Sequence, residues 1–229
     1  MVVVANSGGE FDITPWADKV QAIILDWYPG QEGGNAIAAI LSGKVSPSGR
    51  LPFTFWGELE KNPAQKWYAV APLHPNKNRD RYPFTTYGEG IFLGYRGVEH
   101  FGVQPLYAFG YGLTYTSFEY SDATVTKAGN GFDVTFTVRN TGKADAKEVA
   151  QVYVVPENPS VMRPARELKG YEKLLVPKGA SQKYTVHLGP EAFSYYDVKT
   201  HDWKLDPGKY RILIGASSQD IRLEVPVTL

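Results

Sequence analysis

The residue with the clearest chemical potential is Glu32, in the stretch "DWYPGQEGGN" at 26–35. It follows an apolar run that ends at Pro29 and Gly30, and it precedes a run with helical periodicity. We therefore expect it at the carboxyl end of a strand, where open α/β sheets bind ligands. A carboxylate there could act in hydrolysis; cleavage of a glycosidic bond, for example, uses two facing carboxylates. An acidic residue in the first turn of a helix can also simply offset the helix dipole. We expect Glu32 to support or border a site rather than to react in it.

Other carboxylates and aromatic rings could likewise have either a functional or a purely structural role. Asp26, just before Trp27 and Tyr28, and Glu89, in "YGEG", could face a site, but such residues more often anchor turns through hydrogen bonds. Aromatic side chains could stack on the C–H faces of sugar rings, although a place in a core or an interface is the commoner role. The candidates for stacking are Trp27, Tyr28, Trp56, Trp67 and Tyr68.

Several other chemistries find little support in the residue types. The chain has no cysteine, so thiol nucleophiles, thiolate metal sites and disulfides are excluded. The serines of "NSGG" and "SPSGR" do not form a nucleophile elbow. The "GQEGG" turn could hold an anion, yet it matches neither the dinucleotide nor the phosphate-loop pattern. We expect no metal site, because the histidines lack ligand spacing: His74, His100, His187 and His201. The strand pattern around His187 predicts a surface or edge position.

The composition is that of an ordinary globular protein. The chain has 229 residues, with 43% hydrophobic, 21% charged and a high 14% aromatic content. Basic and acidic residues balance at 24 each, so no net field would attract nucleic acid or an anionic membrane surface. No apolar run approaches the roughly 18 residues that span a bilayer. We expect neither nucleic acid nor a membrane as partner.

The segment that must position Glu32, residues 1–56, has an α/β pattern. "VVVAN" and "QAIILDWY" predict buried strands, the apolar positions of 31–42 predict a helix that Gly43 ends, and "GRLPFTFW" predicts a third strand. Strand–helix–strand units with short connections imply a mostly parallel sheet. Since a domain rarely starts with a buried strand at its first residue, we expect this segment to be the end of a longer one.

The rest of the chain changes character twice. Residues 57–117 predict a long connector, with Pro63, Pro72, Pro75 and Pro83, a basic-polar segment "NKNRDRY" and a region rich in glycine and aromatic residues. Residues 118–229 contain seven short runs of alternating apolar and polar residues, separated by turn signals such as Gly129-Asn130-Gly131 and Asp206-Pro207-Gly208. This spacing predicts an antiparallel immunoglobulin-like or fibronectin type III-like sandwich. The predicted fold class is thus a partial α/β sandwich followed by an all-β sandwich.

Long motifs in this chain resemble glycoside hydrolase family 3, the β-glucosidase and β-xylosidase family. The resemblance rests on "WYPGQEGGNAIAAILSGKVSPSGRLPFTF", "YGEGIFLGYRGVEHFGVQPLYAFGYGLTYTSFEYS", "VRNTGKADAKEVAQVYV", "RPARELKGYEKL" and "AFSYYDVKTHDWKLDPGKYRILIGASSQDIRL". These motifs occur in the family's order over essentially the whole chain. The resemblance implies that 1–56 is the C-terminal part of an α/β sandwich domain, 57–117 a connector packing on it, and 118–229 a fibronectin type III-like domain.

The resemblance also implies what is missing. Members of the family are retaining enzymes without metal or organic cofactor, with an Asp nucleophile on a barrel domain and a Glu acid/base upstream of the strand that "VVVAN" resembles. We therefore assign no catalytic residue in this chain. The resemblance implies that Trp27, Tyr28, Gln31 and Glu32 border an active site completed by the barrel domain. The expected substrate is a β-linked oligosaccharide or aryl glycoside, bound through the parent enzyme.

A second hypothesis is a non-catalytic module that binds carbohydrate or packs domains together, because fold alone does not give function. An esterase or nucleotide enzyme is less favoured for lack of motifs. The incomplete sheet should expose an apolar face unless a partner covers it, so self-association is expected of the chain alone. The opening "MVVVAN" has no basic leader and is too short for a signal peptide. The compartment stays open, with a periplasmic or secreted location favoured.

Overall fold

The computed structural model describes residues 1–67 and 87–229. The chain begins with two parallel strands, β1 (Val2–Ala5) and β2 (Ala22–Leu25), which pair from Val2 with Ala22 to Ala5 with Leu25. A short 3₁₀ helix, Ala17–Lys19, lies between them. Helix α1 (Gly33–Leu41) follows, with Ser42 as C-cap and Gly43 at φ +74° just beyond it. The first two predicted strands, the helix and its glycine stop are therefore confirmed.

The prediction of a mostly parallel sheet is wrong. Only β1 and β2 pair in parallel, and every other sheet in the described part of the chain is antiparallel. The prediction of a third strand over "GRLPFTFW" is also wrong, because this segment forms only an isolated antiparallel bridge with the end of the connector, between Phe55 and Tyr107. The Phe55 and Tyr107 amides donate to each other's carbonyl oxygens at 2.9 and 3.0 Å. The same two segments also bond beyond Pro52, where the Leu51 amide donates to the Tyr111 carbonyl oxygen at 2.9 Å and the Gly110 amide donates to the Leu51 carbonyl oxygen at 2.8 Å.

The connector has no extended strand among its described residues and consists of short helical turns. These are Leu59–Lys61, Pro63–Trp67, Gly90–Phe92, Gly94–Gly97 and the one-turn helix α2, Val98–Phe101. The stretch from 68 to 86, with the segment "NKNRDRY", His74 and Tyr68, lies outside the described residues. The remaining turns pack through aromatic contacts; the Phe92 and His100 rings, for example, stack with centroids 3.6 Å apart.

All seven strands predicted for 118–229 are present, and they form two antiparallel sheets. The strand bounds are β3 Phe118–Ala128, β4 Gly131–Asn140, β5 Ala146–Pro156, β6 Glu167–Val176, β7 Ser181–Leu188, β10 Lys209–Gly215 and β11 Ile221–Thr228. One sheet has the order β11-β10-β5-β6 and the other β3-β4-β7. A further hairpin, β8 (Ser194–Asp197) and β9 (Asp202–Leu205), was not predicted.

The main core lies between these two sheets. Alternation along β7 turns Tyr184, Val186 and Leu188 inward, and β4 contributes Val134 and Phe136 opposite them. Burying one side chain of this size contributes about 1.5–3 kcal/mol, so the sandwich carries most of the apolar stabilisation of the described chain. His187, between two core positions, faces solvent and pairs with Asp133 at 2.8 Å. This is the surface position that the strand pattern predicted.

A buried ion pair joins the first segment to the sandwich. Arg50 Nη2 donates to Glu148 Oε2 at 2.6 Å, and the two side chains are only 10% and 2% exposed. Tyr120 Oη donates to the other Glu148 oxygen at 2.7 Å. Burial raises the pKa of Glu148, and the Arg50 charge and the Tyr120 hydrogen bond oppose that rise in part. Arg50 therefore ties two parts of the chain that are 98 residues apart.

None of the helices formed by residues 1–67 and 87–229 has both the length and the apolar character needed to cross a bilayer.

Candidate active-site rim

The predicted site residues gather where β1 and β2 end. The backbone turns sharply after β2: the Asp26 amide donates to the Ala5 carbonyl oxygen at 3.2 Å, and Trp27 has φ +56°. A left-handed conformation is uncommon for a bulky residue and is typically held by its surroundings. Here the Trp27 indole packs edge-on against Phe53, with ring centroids 5.4 Å apart. The Trp27 side chain is therefore held in place by packing and is not free to rotate.

Tyr28 points the other way, into solvent, and is 81% exposed. Its ring lies across the loop after β1, because a Cβ atom added at Gly8 would come within 2.5 Å of the Tyr28 hydroxyl. A side chain at position 8 would therefore displace the exposed Tyr28 ring from this position. The two aromatic residues of the predicted rim are brought to one edge but face different surroundings.

Gln31 and Glu32 are both exposed in the loop before α1. Glu32 is the N-cap residue of α1, yet its side chain makes no capping bond and instead accepts a hydrogen bond from Asn35 Nδ2 at 2.6 Å. The tight turn depends on glycine, since Gly30 has φ +70° and a Cβ at Gly33 would lie 2.6 Å from Pro29 Cγ. The loop therefore presents one solvated carboxylate at the carboxyl end of the sheet.

Glu10 is a residue of this edge that the sequence did not single out. Its Oε1 atom accepts hydrogen bonds from the Trp56 amide and, at 2.9 Å, from the Gly57 amide. Burial raises the pKa of Glu10, and the two backbone hydrogen bonds oppose that rise. Glu10 holds the loop after β1 onto the start of the connector, 46 residues away, and only the tertiary contact reveals this.

Asp26 and Glu89 carry buried carboxylate oxygens that have no hydrogen-bond partner among the described residues. Both Asp26 oxygens and Glu89 Oε2 are inaccessible, and within residues 1–67 and 87–229 they have no hydrogen-bond donor. An unpaired buried carboxylate is costly, because neither water nor a donor compensates its charge. Either residue would therefore gain from a donor supplied by a neighbouring molecule or domain.

Two further stacking candidates, Trp56 and Trp67, are packed against other residues. Trp56 is buried, and Trp67 is half-buried against Phe101, with centroids 6.1 Å apart. Both are packing residues, which is the commoner alternative for aromatic side chains. In the described part of the chain, no group of three or more His, Asp or Glu side chains is arranged to hold a metal ion.

An apolar cleft of about 630 Å³ opens beside the rim, between the two-stranded sheet, α1 and the connector. Its lining includes Ile24, Trp27, Ile40, Phe55 and Leu113. The helix does not close it, since Gly33 is the only buried residue of α1. In the described part of the chain, this cleft leaves apolar residues of the two-stranded sheet open to solvent.

A partial α/β layer followed by a fibronectin-like sandwich defines a two-part C-terminal module, and family models match each part. The glycosyl hydrolase family 3 C-terminal domain matches residues 1–95, and the fibronectin type III-like domain matches residues 148–218. The chain belongs to glycoside hydrolase family 3 and forms a C-terminal part of that architecture.

Characterised relatives extend this result over the whole chain. An exo-α-(1→6)-L-arabinopyranosidase of Bifidobacterium longum is 39% identical over 230 residues, covering 100% of this chain and 29% of the relative. The thermostable β-glucosidase B of Acetivibrio thermocellus is 39% identical over 231 residues, covering 99% of this chain and 29% of the relative. This chain thus spans under a third of the length of these relatives.

Solved structures agree with the fold. A family 3 β-glucosidase of Bifidobacterium adolescentis superposes with a TM-score of 0.88 at 38% identity, covering 100% of this chain and 32% of that one. β-Glucosidase 3B of Thermotoga neapolitana, in complex with α-D-glucose, gives 0.88 at 35% identity, covering 99% and 31%.

Proposed function

We propose that this chain acts as the C-terminal portion of a retaining, exo-acting β-glycosidase that hydrolyses terminal β-linked glucosyl or xylosyl residues. The observation that carries the proposal is the match along essentially the whole chain to β-glucosidases of which it covers only 29–32%. The family resemblance assigns the nucleophile to a barrel domain and the acid/base to a segment upstream of β1. The chain alone would then be inactive, because a retaining mechanism needs both carboxylates.

In this proposal the parts of the chain have separate tasks. Residues 1–56 complete the α/β sandwich domain, residues 57–117 pack on it as a connector, and residues 118–229 form the fibronectin-like domain. Trp27, Tyr28, Gln31 and Glu32 border the active site, and a β-linked oligosaccharide or aryl glycoside binds across that border. Support comes from their shared position at the carboxyl ends of β1 and β2. Without the barrel domain, the open apolar cleft would drive the chain to self-associate.

A chimera tests the proposal. The chain replaces the matching C-terminal part of β-glucosidase B of A. thermocellus, and release of p-nitrophenol from p-nitrophenyl β-glucoside is measured. We expect no hydrolysis by the isolated chain and none by the truncated relative, but hydrolysis by the chimera. The proposal fails if the isolated chain hydrolyses the glycoside at the rate of an intact enzyme. It also fails if a soluble, folded chimera is as inactive as the truncated relative.

A non-catalytic carbohydrate-binding or domain-packing module is the second candidate. Exposed aromatic residues on the β8–β9 hairpin of the sandwich favour it. A pull-down on insoluble glucans separates the two, since binding without any hydrolysis in the chimera would favour the module.

A further inference from the structure

The β8–β9 hairpin displays two aromatic rings on one face. Tyr196 and Trp203 are directly opposite each other in the antiparallel register, and they are 48% and 64% exposed. Their ring centroids are 5.8 Å apart at an interplanar angle of 76°. Leu205, two residues from Trp203 on the same face, is also exposed. The face is thus an apolar surface around an indole that its neighbours leave largely uncovered.

The hairpin is held firmly by the core beneath it. Phe193, which precedes β8, is fully buried, and its carbonyl oxygen accepts from Tyr210 Oη at 3.2 Å. Ser194 Oγ donates to the Pro190 carbonyl oxygen at 2.9 Å. The Asp206 amide, just after β9, also donates to the Phe193 carbonyl oxygen, at 3.3 Å. Both ends of the hairpin are therefore fixed, so that the exposed rings sit on a preorganised support.

Packing within the hairpin accounts for only part of this arrangement. A cross-strand aromatic pair contributes roughly 0.2–1 kcal/mol to a hairpin, which explains why Tyr196 and Trp203 are opposite each other. It does not require the indole to remain 64% exposed. An exposed aromatic ring on a rigid support is a common basis for recognition, because it offers a large contact area at low entropic cost.

The charges around the rings indicate what kind of ligand fits. Asp197 and Asp202 are balanced by Lys199 and Lys204, so the hairpin has no net charge to select an ion. Lys204 Nζ lies 3.7 Å from Asp197 Oδ2, and Lys204 remains largely exposed. A neutral ligand with an apolar face and many hydroxyl groups would match both the aromatic rings and the charged side chains beside them. A pyranose ring has these properties.

We propose that the hairpin at 194–205 binds a β-linked glucan chain, with one sugar ring stacked on the indole of Trp203 and Tyr196 holding the indole in place. The charged side chains of the hairpin then form hydrogen bonds with the sugar hydroxyl groups, the lysines as donors and the aspartates as acceptors. The ligand class rests on the proposed function, but the site lies on the sandwich rather than at the rim of the α/β segment. It would retain polysaccharide near the enzyme instead of taking part in hydrolysis.

Affinity electrophoresis in native gels containing barley β-glucan tests this site on the whole 229-residue chain. We expect β-glucan to retard the chain and Trp203→Ala to weaken binding about tenfold, as expected for the loss of one well-packed aromatic contact. Trp203→Phe should keep most of the retardation, whereas Trp203→Leu, which is apolar but not flat, should lose it. Far-UV circular dichroism and the melting temperature check that each variant is folded.

The matched control is Tyr171→Ala, because Tyr171 is 65% exposed but lies on β6, outside the hairpin. It should bind β-glucan like the unaltered chain. The inference is overturned if Trp203→Ala keeps full retardation, if Tyr171→Ala loses as much, or if no β-glucan binding occurs. Equal retardation by glycogen, an α-linked glucan, would overturn the preference for β-linkages. None of these results depends on hydrolysis, so this inference and the proposed function can fail separately.

Discussion

Replacing Arg50 by Met should destabilise the chain strongly, because it leaves Glu148 charged and buried. The Glu148 side chain is 2% exposed, and Arg50 is its cationic partner at 2.6 Å. Removing one partner of a buried ion pair typically costs about 3–5 kcal/mol. Tyr120 still donates to Glu148, and a polar cleft of about 400 Å³ borders all three side chains and can admit water. We therefore expect the lower end, a loss of about 3 kcal/mol in the free energy of unfolding.

The loss should depend on pH in a defined direction. Burial raises the pKa of folded Glu148 above its usual 4.5, and the Arg50 charge limits that rise. A carboxyl whose pKa is raised on folding favours the folded state below its unfolded pKa, and this contribution is lost as pH rises through the folded pKa. Without Arg50 the folded pKa rises further. The difference between variant and unaltered chain should therefore be largest near neutral pH and shrink toward pH 4.5.

Guanidinium unfolding monitored by tryptophan fluorescence measures both effects. With an m-value of about 3 kcal/mol per molar, a 3 kcal/mol loss lowers the midpoint by about 1 M. Adding Glu148→Gln to Arg50→Met should restore most of the stability, because the stranded charge is gone. The control is Arg211→Met, which breaks an exposed pair with Glu224 and should cost at most about 1 kcal/mol. The reasoning is refuted if Arg50→Met costs no more than this control, or if its cost is the same at pH 5 and pH 8.

Two further predictions concern the rim. In the active chimera, Glu32→Ala should lower kcat/KM by less than about tenfold, because the Glu32 carboxylate is solvated and bound to Asn35. Loss of a general acid costs about 100-fold or more. A loss of that size in the Glu32→Ala chimera would show that Glu32 takes part in the reaction. In the isolated chain, Asp26→Asn should raise the free energy of unfolding by about 1 kcal/mol, since it removes a buried carboxylate that has no hydrogen-bond donor in the described chain. Urea unfolding measures this change. A lower free energy of unfolding in the variant would show that Asp26 has a hydrogen-bond donor in the protein in solution.

Local patterns were sufficient for most of the secondary structure. Alternating residues bounded by glycine and proline turns predicted all seven strands of the two sandwich sheets, because one face of each strand must be apolar to fill the core. The pattern missed β8 and β9, which have four residues each and only one buried residue, Ser194, between them, so that burial imposes little alternation on them. The hairpin became visible only through its pairing.

The candidate site likewise contains residues that the sequence could place and residues that it could not. Gly30 and Glu32 could be placed from sequence, since a break between a strand and a helix marks the carboxyl end of a strand. Glu10 could not, because its role is to bind amides 46 residues away. The buried pair of Arg50 and Glu148 likewise joins positions that no local pattern relates.

The sequence by itself determined the family, the sandwich and the stretch proposed to form the rim, because these depend on motifs and on short-range alternation and turns. Only the tertiary structure decided the direction in which the segment from Gly49 to Trp56 pairs, the ties made by Glu10 and Arg50, and the exposure of Trp203. Those features depend on which residues far apart in the sequence come into contact and on which side chains remain exposed to solvent. A local sequence pattern contains neither kind of information.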